Sequence, residues 1–259
     1  MENSTLQNIG RTAETHMGLA FAQAFEASGC PHVKKMNGGL LLITGCPHPL
    51  GNFSIGVQDA DQAAQALVDS GYPAAMLFYG TDDPEKEANL SGYGFQPVPP
   101  LPAMAVDISQ LGPTEAPSGY ECKRLNPSDD LGQWAPAFSE GYGLPFELAE
   151  WFSPEKILFD DRPDAPLQFF EVRHEGKVVS VSCMLLAENV AGIYCVATLP
   201  DHRGKGLGAL STAEPLRQAR KLGYKNGVLQ ASDMGYSVYK KLGFQDVGSL
   251  RMYLRMPAS

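Results

Sequence analysis

The feature that most constrains this chain is the segment 193–209, IYCVATLPDHRGKGLGA, in which an apolar stretch runs into a glycine-rich turn. Its β-branched residues predict a strand over Ile193 to Thr198, which Pro200 ends. Helix-forming residues follow from Leu207 to Leu222, except at Pro215, whose missing N–H predicts a kink. The segment therefore predicts a strand, a turn and a helix in an α/β protein.

The turn itself contains Arg203, Gly204, Lys205, Gly206 and Gly208. The first N–H groups of a helix have no partner within the helix, and the helix dipole favours negative charge at that end. Glycines let the backbone approach a phosphate closely because no Cβ intervenes. The turn is therefore predicted to bind a phosphate group.

Three phosphate-binding patterns compete for this turn. A Walker A loop requires Gly, four residues, Gly, Lys and Ser or Thr, and no such string occurs. The dinucleotide fingerprint is met by Gly204, Gly206 and Ala209, but it normally begins directly at a strand end, which this turn does not. The pattern Gln/Arg-x-x-Gly-x-Gly/Ala is met by Arg203, Gly206 and Gly208. An ordinary glycine-rich turn is the remaining alternative.

The last of these patterns is the pyrophosphate loop of the GCN5-related N-acetyltransferase (GNAT) superfamily, which the segment closely resembles. A second signature of that superfamily is a strand followed by a short helix that ends in Tyr-x-x-Leu-Gly-Phe. It is matched by the stretch Gly227 to Ala231 and then by Tyr239 to Phe244. Gly243 fits the C′ position of the helix, with Phe244 packing back. Because both signatures occur in order and at family spacing, the chain is identified by resemblance as a member of the superfamily.

The resemblance implies an α/β (α+β) fold with a mixed, mostly antiparallel central sheet flanked by helices. It also implies direct transfer of an acetyl or other short acyl group from acyl-CoA, with acetyl-CoA as co-substrate, to a primary amine of a small molecule or peptide. Tyr239 would be the general acid near the coenzyme sulfur, with a purely structural core aromatic as the alternative. Arg203 would pair with phosphate or anchor the loop, and the loop contact is favoured. A backbone N–H near Val196 or Ala197 would stabilise the oxyanion. The residues implied to bind the coenzyme are Val196, Ala197, Thr198, Arg203, Gly204, Lys205, Gly206, Leu207, Gly208 and Ala209.

The general base is the open point of this interpretation. Some relatives carry a glutamate on the strand before the loop, and the corresponding strand contains none here. Glu140, Glu171 and Glu188 are candidates by position, with solvated surface carboxylates as the competing interpretation, and a water chain is a further alternative. Cys183 and Cys195 are interpreted as core residues, since direct transfer requires no acyl-enzyme.

Composition argues against several other classes of function. No apolar run approaches the roughly 20 residues that span a bilayer, and MENSTLQNIG lacks the pattern of a signal peptide. Five scattered cysteines favour reduced thiols in a cytoplasmic protein, and no His or Cys spacing fits a metal site. A formal net charge of -9 argues against nucleic acid as a partner. The acceptor and the oligomeric state stay open.

The sequence also contains a divergent internal repeat. Gly71-Tyr72 is followed by an apolar strand, as is Gly223-Tyr224, and Gly94-Phe95 is matched further on by Gly243-Phe244. Self-similarity of this kind predicts two copies of one supersecondary unit, with chance as the alternative for matches this short.

The repeat predicts two halves. Residues 1–112 are expected to form a degenerate GNAT-like N-terminal domain, and residues 118–259 the catalytic N-acetyltransferase domain. The proline-rich segment 97–102 and the stretch Gly112 to Gly119 are predicted to form the linker region.

The first half is expected to lack a phosphate site. Its strand, Asn52 to Val57, leads into the helix Ala60 to Ser70 with no arginine and no glycine cluster between them. Asp59 or Asp61 is typical of a helix N-terminus. A further helix is predicted over roughly Arg11 to Ser28.

In the second half, helices over Pro127 to Tyr142 and Phe146 to Phe159 are expected to line the acceptor pocket, as the family fold implies. Leu167 to Arg173 and Lys177 to Leu186 predict a hairpin. A non-catalytic acyl-CoA-binding module, with the degenerate half as an interaction surface, is the alternative function. An aromatic-lined pocket, or else an aromatic core face, is indicated by Trp134, Tyr142, Phe146, Trp151 and Phe152.

Overall fold

The computed structural model describes residues 32–80 and 83–257, together with ten helical positions between 9 and 25. The helix predicted over Arg11 to Ser28 falls in the second group. Its described positions are helical, and the rest of that range lies outside the described residues.

The elements follow one another along two halves of the chain. The first half contains β1 (Val33–Met36), β2 (Gly39–Ile43), β3 (Asn52–Ile55), α1 (Ala60–Asp69), β4 (Ala74–Tyr79), α2 (Pro84–Gly92) and β5 (Gln96–Asp107). The second half contains β6 (Tyr120–Arg124), α3 (Trp134–Tyr142), α4 (Phe146–Trp151), β7 (Leu167–His174), β8 (Lys177–Ala187), β9 (Val190–Thr198), α5 (Leu207–Lys221), β10 (Asn226–Gln230), α6 (Asp233–Lys241) and β11 (Gln245–Arg255).

Within the described chain these strands form one 11-stranded sheet in the order β1-β2-β3-β4-β11-β5-β10-β9-β8-β7-β6. Neighbouring strands are antiparallel except β3 with β4 and β9 with β10, which are parallel. The predicted fold class, a mixed and mostly antiparallel sheet flanked by helices, is confirmed.

The two parallel pairs belong to two similar strand–helix–strand–helix–strand units, β3 to β5 and β9 to β11. Gly71 and Gly223 follow the first helix of each unit with φ of 73° and 95°, and Gly94 and Gly243 follow the second with φ of 86° and 98°. These left-handed values favour glycine after a helix. The sequence repeat is therefore also a structural repeat.

The final strands of the two units are exchanged. β5 pairs antiparallel with β10 over residues 103–107. β11 pairs antiparallel with β4 over residues 250–255, and β5 and β11 also pair with each other. Each half therefore completes the sheet of the other.

Because of this exchange, we expect the segments 1–112 and 118–259 to fold only together. One core cluster joins Leu40 and Ile55 to Trp134 and Phe169, so separating the halves would expose apolar side chains as well as strand edges. Co-expressed halves should co-purify and unfold in a single cooperative transition, while either half alone should show none. A cooperative transition of the isolated second half would contradict this expectation.

The prediction of a linker at 97–102 is wrong, because this segment is part of β5 in the middle of the sheet. Its prolines have no N–H to donate to a neighbouring strand. They are tolerated because this part of β5 pairs with β11 through an irregular register, whereas β10 pairs with the proline-free part, 103–107. The stretch Gly112 to Gly119 contains neither helix nor strand, as predicted.

The helices predicted over 127–142 and 146–159 are shorter in the structure. Before α3, Asp129 and Asp130 accept hydrogen bonds from nearby backbone N–H groups at 2.7 and 3.2 Å. Such bonds compete with helix formation. Pro154 follows shortly after α4 and disfavours its continuation.

Pro215 lies inside α5, which continues through it. Its missing N–H leaves the carbonyl of Ser211 without its helical partner. The Ser182 hydroxyl on β8 donates to that carbonyl at 2.7 Å. The helix tolerates the proline because the sheet replaces the lost hydrogen bond.

Candidate active site

The parallel strands β9 and β10 diverge beside the glycine-rich turn. In the described structure they pair over 190–192 and 226–228, although β9 continues to Thr198. The edge of β9 from Ile193 onward therefore borders a cleft, and its backbone groups there lack β10 as a partner. Such an edge accepts an extended ligand as an additional strand.

Cys195 breaks the regular geometry of β9 inside this cleft. Its φ is 54°, in the left-handed region, and the pairing of β8 with β9 shifts register between Val181 and Cys183. An irregularity of this kind re-aims the backbone that follows it. Val196 and Ala197, the predicted oxyanion donors, come directly after it.

The glycine-rich turn leaves the start of α5 open. Gly204 and Gly206 have φ of 74° and 82°, values that favour glycine, and Gly206 precedes α5 without a side-chain cap. Apart from the adjoining residues and the helix's own backbone, no described atom lies within 4 Å of where a Cβ would stand on Gly204, Gly206 or Gly208. The first amides of α5 are therefore free to meet an anion, with the positive end of the helix dipole behind them.

Arg203 and Lys205 have different positions in this turn. Arg203 donates from Nε to the Thr198 carbonyl at 3.2 Å and from Nη2 to the Gly141 carbonyl at 2.9 Å. It anchors the loop to β9 and α3, as expected. Lys205 is exposed, and its Nζ donates to the Tyr120 hydroxyl at 3.2 Å.

Two histidines stand beside the same turn. The Tyr120 ring stacks on His174 at a centroid distance of 4.2 Å, and its hydroxyl lies 3.0 Å from Nδ1 of His202. Desolvation, followed by the charge of Lys205, lowers the pKa of His202. At neutral pH the positive charge of the turn therefore comes from Arg203 and Lys205.

The matching turn of the first unit holds a carboxylate at the start of its helix. Asp59 caps α1, and its carboxylate accepts a hydrogen bond from the Gln62 N–H at 2.9 Å, which confirms its predicted role. The surface depression around it is also lined by three further acidic residues, Asp61, Asp83 and Glu85, and by one basic residue, Lys86. A carboxylate thus takes one of the helix amides that the second unit leaves free, and its surroundings repel anions.

A cavity of about 320 Å³ lies along the diverging strands. The second half contributes Phe138, Tyr142, Leu144, Phe152, Ile193, Tyr194, Cys195, Val196, Gln230, Ser232 and Tyr239. The first half and β11 contribute Met17, Phe21, Leu50, Phe53, Leu77, Leu101 and Met252. None of these described lining residues has a charged side chain. Both halves therefore build one largely apolar pocket.

Tyr239 lies at this pocket with 8% of its surface exposed. Burial and the nearby Tyr142 raise the pKa of Tyr239, while a hydrogen bond with Thr212 opposes them. Its ring lies against Gly235, where an added Cβ would stand 3.2 Å from the tyrosine oxygen. The hydroxyl keeps its proton at neutral pH, which a general acid requires.

The aromatic pocket exists, but sequence analysis identified its residues only in part. Tyr142 and Phe152 line it. Trp134 is fully buried elsewhere and donates its indole N–H to a β7 carbonyl at 3.1 Å. Phe146 is 44% exposed, and Trp151 packs edge-on against an imidazole ring at 5.2 Å. Helical position alone did not distinguish pocket, core and surface.

None of the three glutamates considered as the general base lines the cavity. Glu140 and Glu188 are exposed. Glu171 is 1% exposed and forms ion pairs with Arg173 and, at 3.7 Å, with Lys123. The surface interpretation of Glu171 is therefore wrong, because basic partners on β6 and β7 compensate its buried charge.

Cys183 is a core residue as expected, whereas Cys195 lines the cavity. A hydrogen bond with Cys183 and burial raise the pKa of the Cys195 thiol. The core interpretation of Cys195 is therefore incomplete, although a protonated thiol is a poor nucleophile.

Comparisons with known proteins bear on this geometry. Residues 133–244 match the family described as Acetyltransferase (GNAT) family. A comparison with curated proteins gave no match. A GCN5-related N-acetyltransferase from Kribbella flavida superposes with a TM-score of 0.68 at 16% identity, covering 95% of this chain and 96% of that chain.

Two further solved structures share the fold. A GCN5-related N-acetyltransferase from Sphaerobacter thermophilus gives a TM-score of 0.58 at 16% identity, covering 96% of this chain and 94% of that chain. A tandem GNAT protein from the clavulanic acid biosynthesis pathway gives 0.56 at 12% identity, covering 88% and 85%.

The fold and the family match together define a class, the acetyltransferases that use acyl-CoA as donor. Within that class, residues 133–244 match the GNAT family, and the chain as a whole shares its fold with the solved GNAT structures above. In the part of the chain that the structure describes, no helix has the length and apolarity to cross a bilayer.

Proposed function

We propose that this chain transfers an acetyl or other short acyl group directly from acyl-CoA to a primary amine of a small molecule or peptide. One observation supports the proposal: Val196 on the unpaired edge of β9 and the buried Tyr239 line the same cavity, and the turn that follows β9 leaves the start of α5 open. The coenzyme-binding residues in this proposal are Val196, Ala197, Thr198, Arg203, Gly204, Lys205, Gly206, Leu207, Gly208 and Ala209.

Each part of the cleft has a role in the proposed reaction. The pyrophosphate accepts hydrogen bonds from the first amides of α5, and the pantetheine arm adds to β9 as a further strand. The thioester carbonyl then lies near the N–H groups of Val196 and Ala197, which stabilise the developing oxyanion. The amine nitrogen attacks the carbonyl carbon and the C–S bond breaks. Tyr239 gives its proton to the sulfur, and the proton that the nitrogen loses restores the tyrosine.

We further infer that residues 1–112 are a degenerate copy of the same unit and bind no coenzyme. Asp59 occupies one of the amides at the start of α1, and acidic side chains surround it. The contribution of this half is then structural, through the exchanged strand β5 and the wall of the cavity.

Isothermal titration calorimetry with acetyl-CoA tests the proposal, and one site per chain is the expected result. The absence of binding would overturn the proposed function. Two sites per chain would overturn the assignment of the first half as degenerate.

Thiol release from acetyl-CoA over a panel of amines then distinguishes an enzyme from the binding-only alternative. We expect release that depends on the amine. Coenzyme binding with the same background release for every amine would favour the non-catalytic module.

A further inference from the structure

The first half supplies one wall of the cavity in which the acceptor would bind. The ring of Phe21 contacts those of Phe152 and Tyr194 at centroid distances of 5.4 and 5.5 Å. Phe53 and Leu101 extend the same wall. Apolar side chains therefore line the cavity on the side of the first half as well as on the side of α3 and α4.

The cavity offers no anionic partner to a positive charge among the described lining residues. Its described lining contains no carboxylate, and the buried carboxylate of Glu171 on β7 is paired with Arg173 and Lys123. An ammonium ion that enters such a space loses its water and gains no ion pair, which disfavours the charged form. The surroundings select neutral molecules.

One polar group of the lining suits a neutral amine. Gln230, the last residue of β10, donates from Nε2 to the Ala13 carbonyl at 2.6 Å, which fixes the orientation of its amide. Its Oε1 has no hydrogen-bond partner in the described structure. A neutral amide oxygen accepts one N–H of an amine and leaves the nitrogen lone pair available.

We infer that the acceptor is a primary amine with an aromatic or hydrocarbon body, and that it enters the cavity as the uncharged free base. The inference rests on the proposed function. The free base already carries the lone pair that forms the new C–N bond, so no carboxylate is needed to deprotonate it. The C–S bond breaks as that bond forms, and one amine proton finally resides on the coenzyme sulfur.

The titratable groups that face the cavity do not change charge near neutral pH. These are Tyr142 on α3, Tyr194 and Cys195 on β9, and Tyr239 on α6, and the pKa of each is raised. Behind Tyr194, burial lowers the pKa of His16 to about 4, and its Nδ1 lies 2.7 Å from the tyrosine oxygen. Between about pH 6 and 9 the amine itself is therefore the group whose charge varies.

A series of amines tests this on the native chain, with thiol release from acetyl-CoA as the readout. We expect kcat/KM for benzylamine to exceed that for 1,4-diaminobutane by at least about 100-fold, since the second ammonium finds no partner. We expect kcat/KM for benzylamine to rise about tenfold per pH unit from about pH 6 to 8, following its free base. The value for aniline, which is already uncharged, should stay constant.

A variant of the wall extends the test. Leu101→Glu places a carboxylate in the cavity wall, and Leu101→Gln is its neutral match. We expect Leu101→Glu to lower kcat/KM for benzylamine by about 30-fold or more and to raise kcat/KM for 1,4-diaminobutane. Leu101→Gln should not raise kcat/KM for 1,4-diaminobutane. Both should bind acetyl-CoA as the native chain does, because Leu101 lies outside the proposed coenzyme site.

The results distinguish a failure of this inference from a failure of the proposed function. A native preference for 1,4-diaminobutane, or a kcat/KM for benzylamine that does not change with pH, overturns the inference while coenzyme binding persists. Loss of acetyl-CoA binding by the native chain overturns the proposed function instead. If Leu101→Glu does not give a folding transition, the amine series on the native chain decides.

Discussion

Gly208→Asp is expected to abolish coenzyme binding while leaving the fold at least as stable as before. Gly208 is in the first turn of α5, and the space where its Cβ would stand is open. A carboxylate near a helix N-terminus stabilises the folded state by about 0.3–1 kcal/mol. The same carboxylate would stand where the pyrophosphate is proposed to bind and would repel it. The first half shows such an arrangement at Asp59, which caps α1.

Calorimetry with acetyl-CoA and thermal unfolding together measure these opposite effects. We expect the affinity to fall by at least about 100-fold and the melting temperature to stay equal or rise by up to a few degrees. Gly208→Ala is the matched control, since it adds the Cβ without charge and should lose less affinity. An affinity of Gly208→Asp equal to that of the native chain would refute the anion site at the start of α5.

The glycine-rich turn was predictable because its chemistry is local. Residues from Ile193 to Ala209 form one contiguous segment, and the left-handed conformations of Gly204 and Gly206 require the residue type found there. The tight turns after the repeated helices are local in the same way. Gly71 and Gly223 therefore indicated the same structural unit in both halves.

The cavity wall could not be predicted from the sequence, because its residues are brought together by strand pairing over long distances. Phe21, Phe53 and Leu101 are separated in sequence from Tyr239 by more than half of the chain. Apolar residues at such positions are typical of any core. Their place in the pocket follows from the exchange of β5 and β11, which no local pattern encodes.

Other errors arose where a local rule was overridden by tertiary contacts. The prolines of β5 predict a linker, but this part of β5 pairs with β11 through an irregular register. At Pro215 the helix lacks one backbone donor, and Ser182 donates to the carbonyl that this leaves free. Glu171 resembles a surface residue until Arg173 and Lys123 are seen beside it. The prolines, Pro215 and Glu171 thus have partners on β11, β8 and β6, which are distant from them in sequence.

Tyr239→Phe is expected to lower kcat by about 100-fold or more while acetyl-CoA affinity changes less than about twofold. General acid catalysis contributes roughly 10²–10⁴-fold, and the substitution removes the proton donor. The ring, which packs at 5.9 Å from that of Phe244, is retained, so the fold should hold. Steady-state thiol release and calorimetry measure the two quantities.

Tyr236→Phe is the matched control on the same helix, because its hydroxyl donates to the exposed Asp246 at 2.9 Å and does not line the cavity. It should leave kcat unchanged.

Since burial raises the pKa of Tyr239, the native enzyme should retain the proton of this group, and with it kcat, to at least about pH 9. If the kcat of Tyr239→Phe equalled that of the native enzyme, water would protonate the departing thiolate and Tyr239 would have only a packing role in the core.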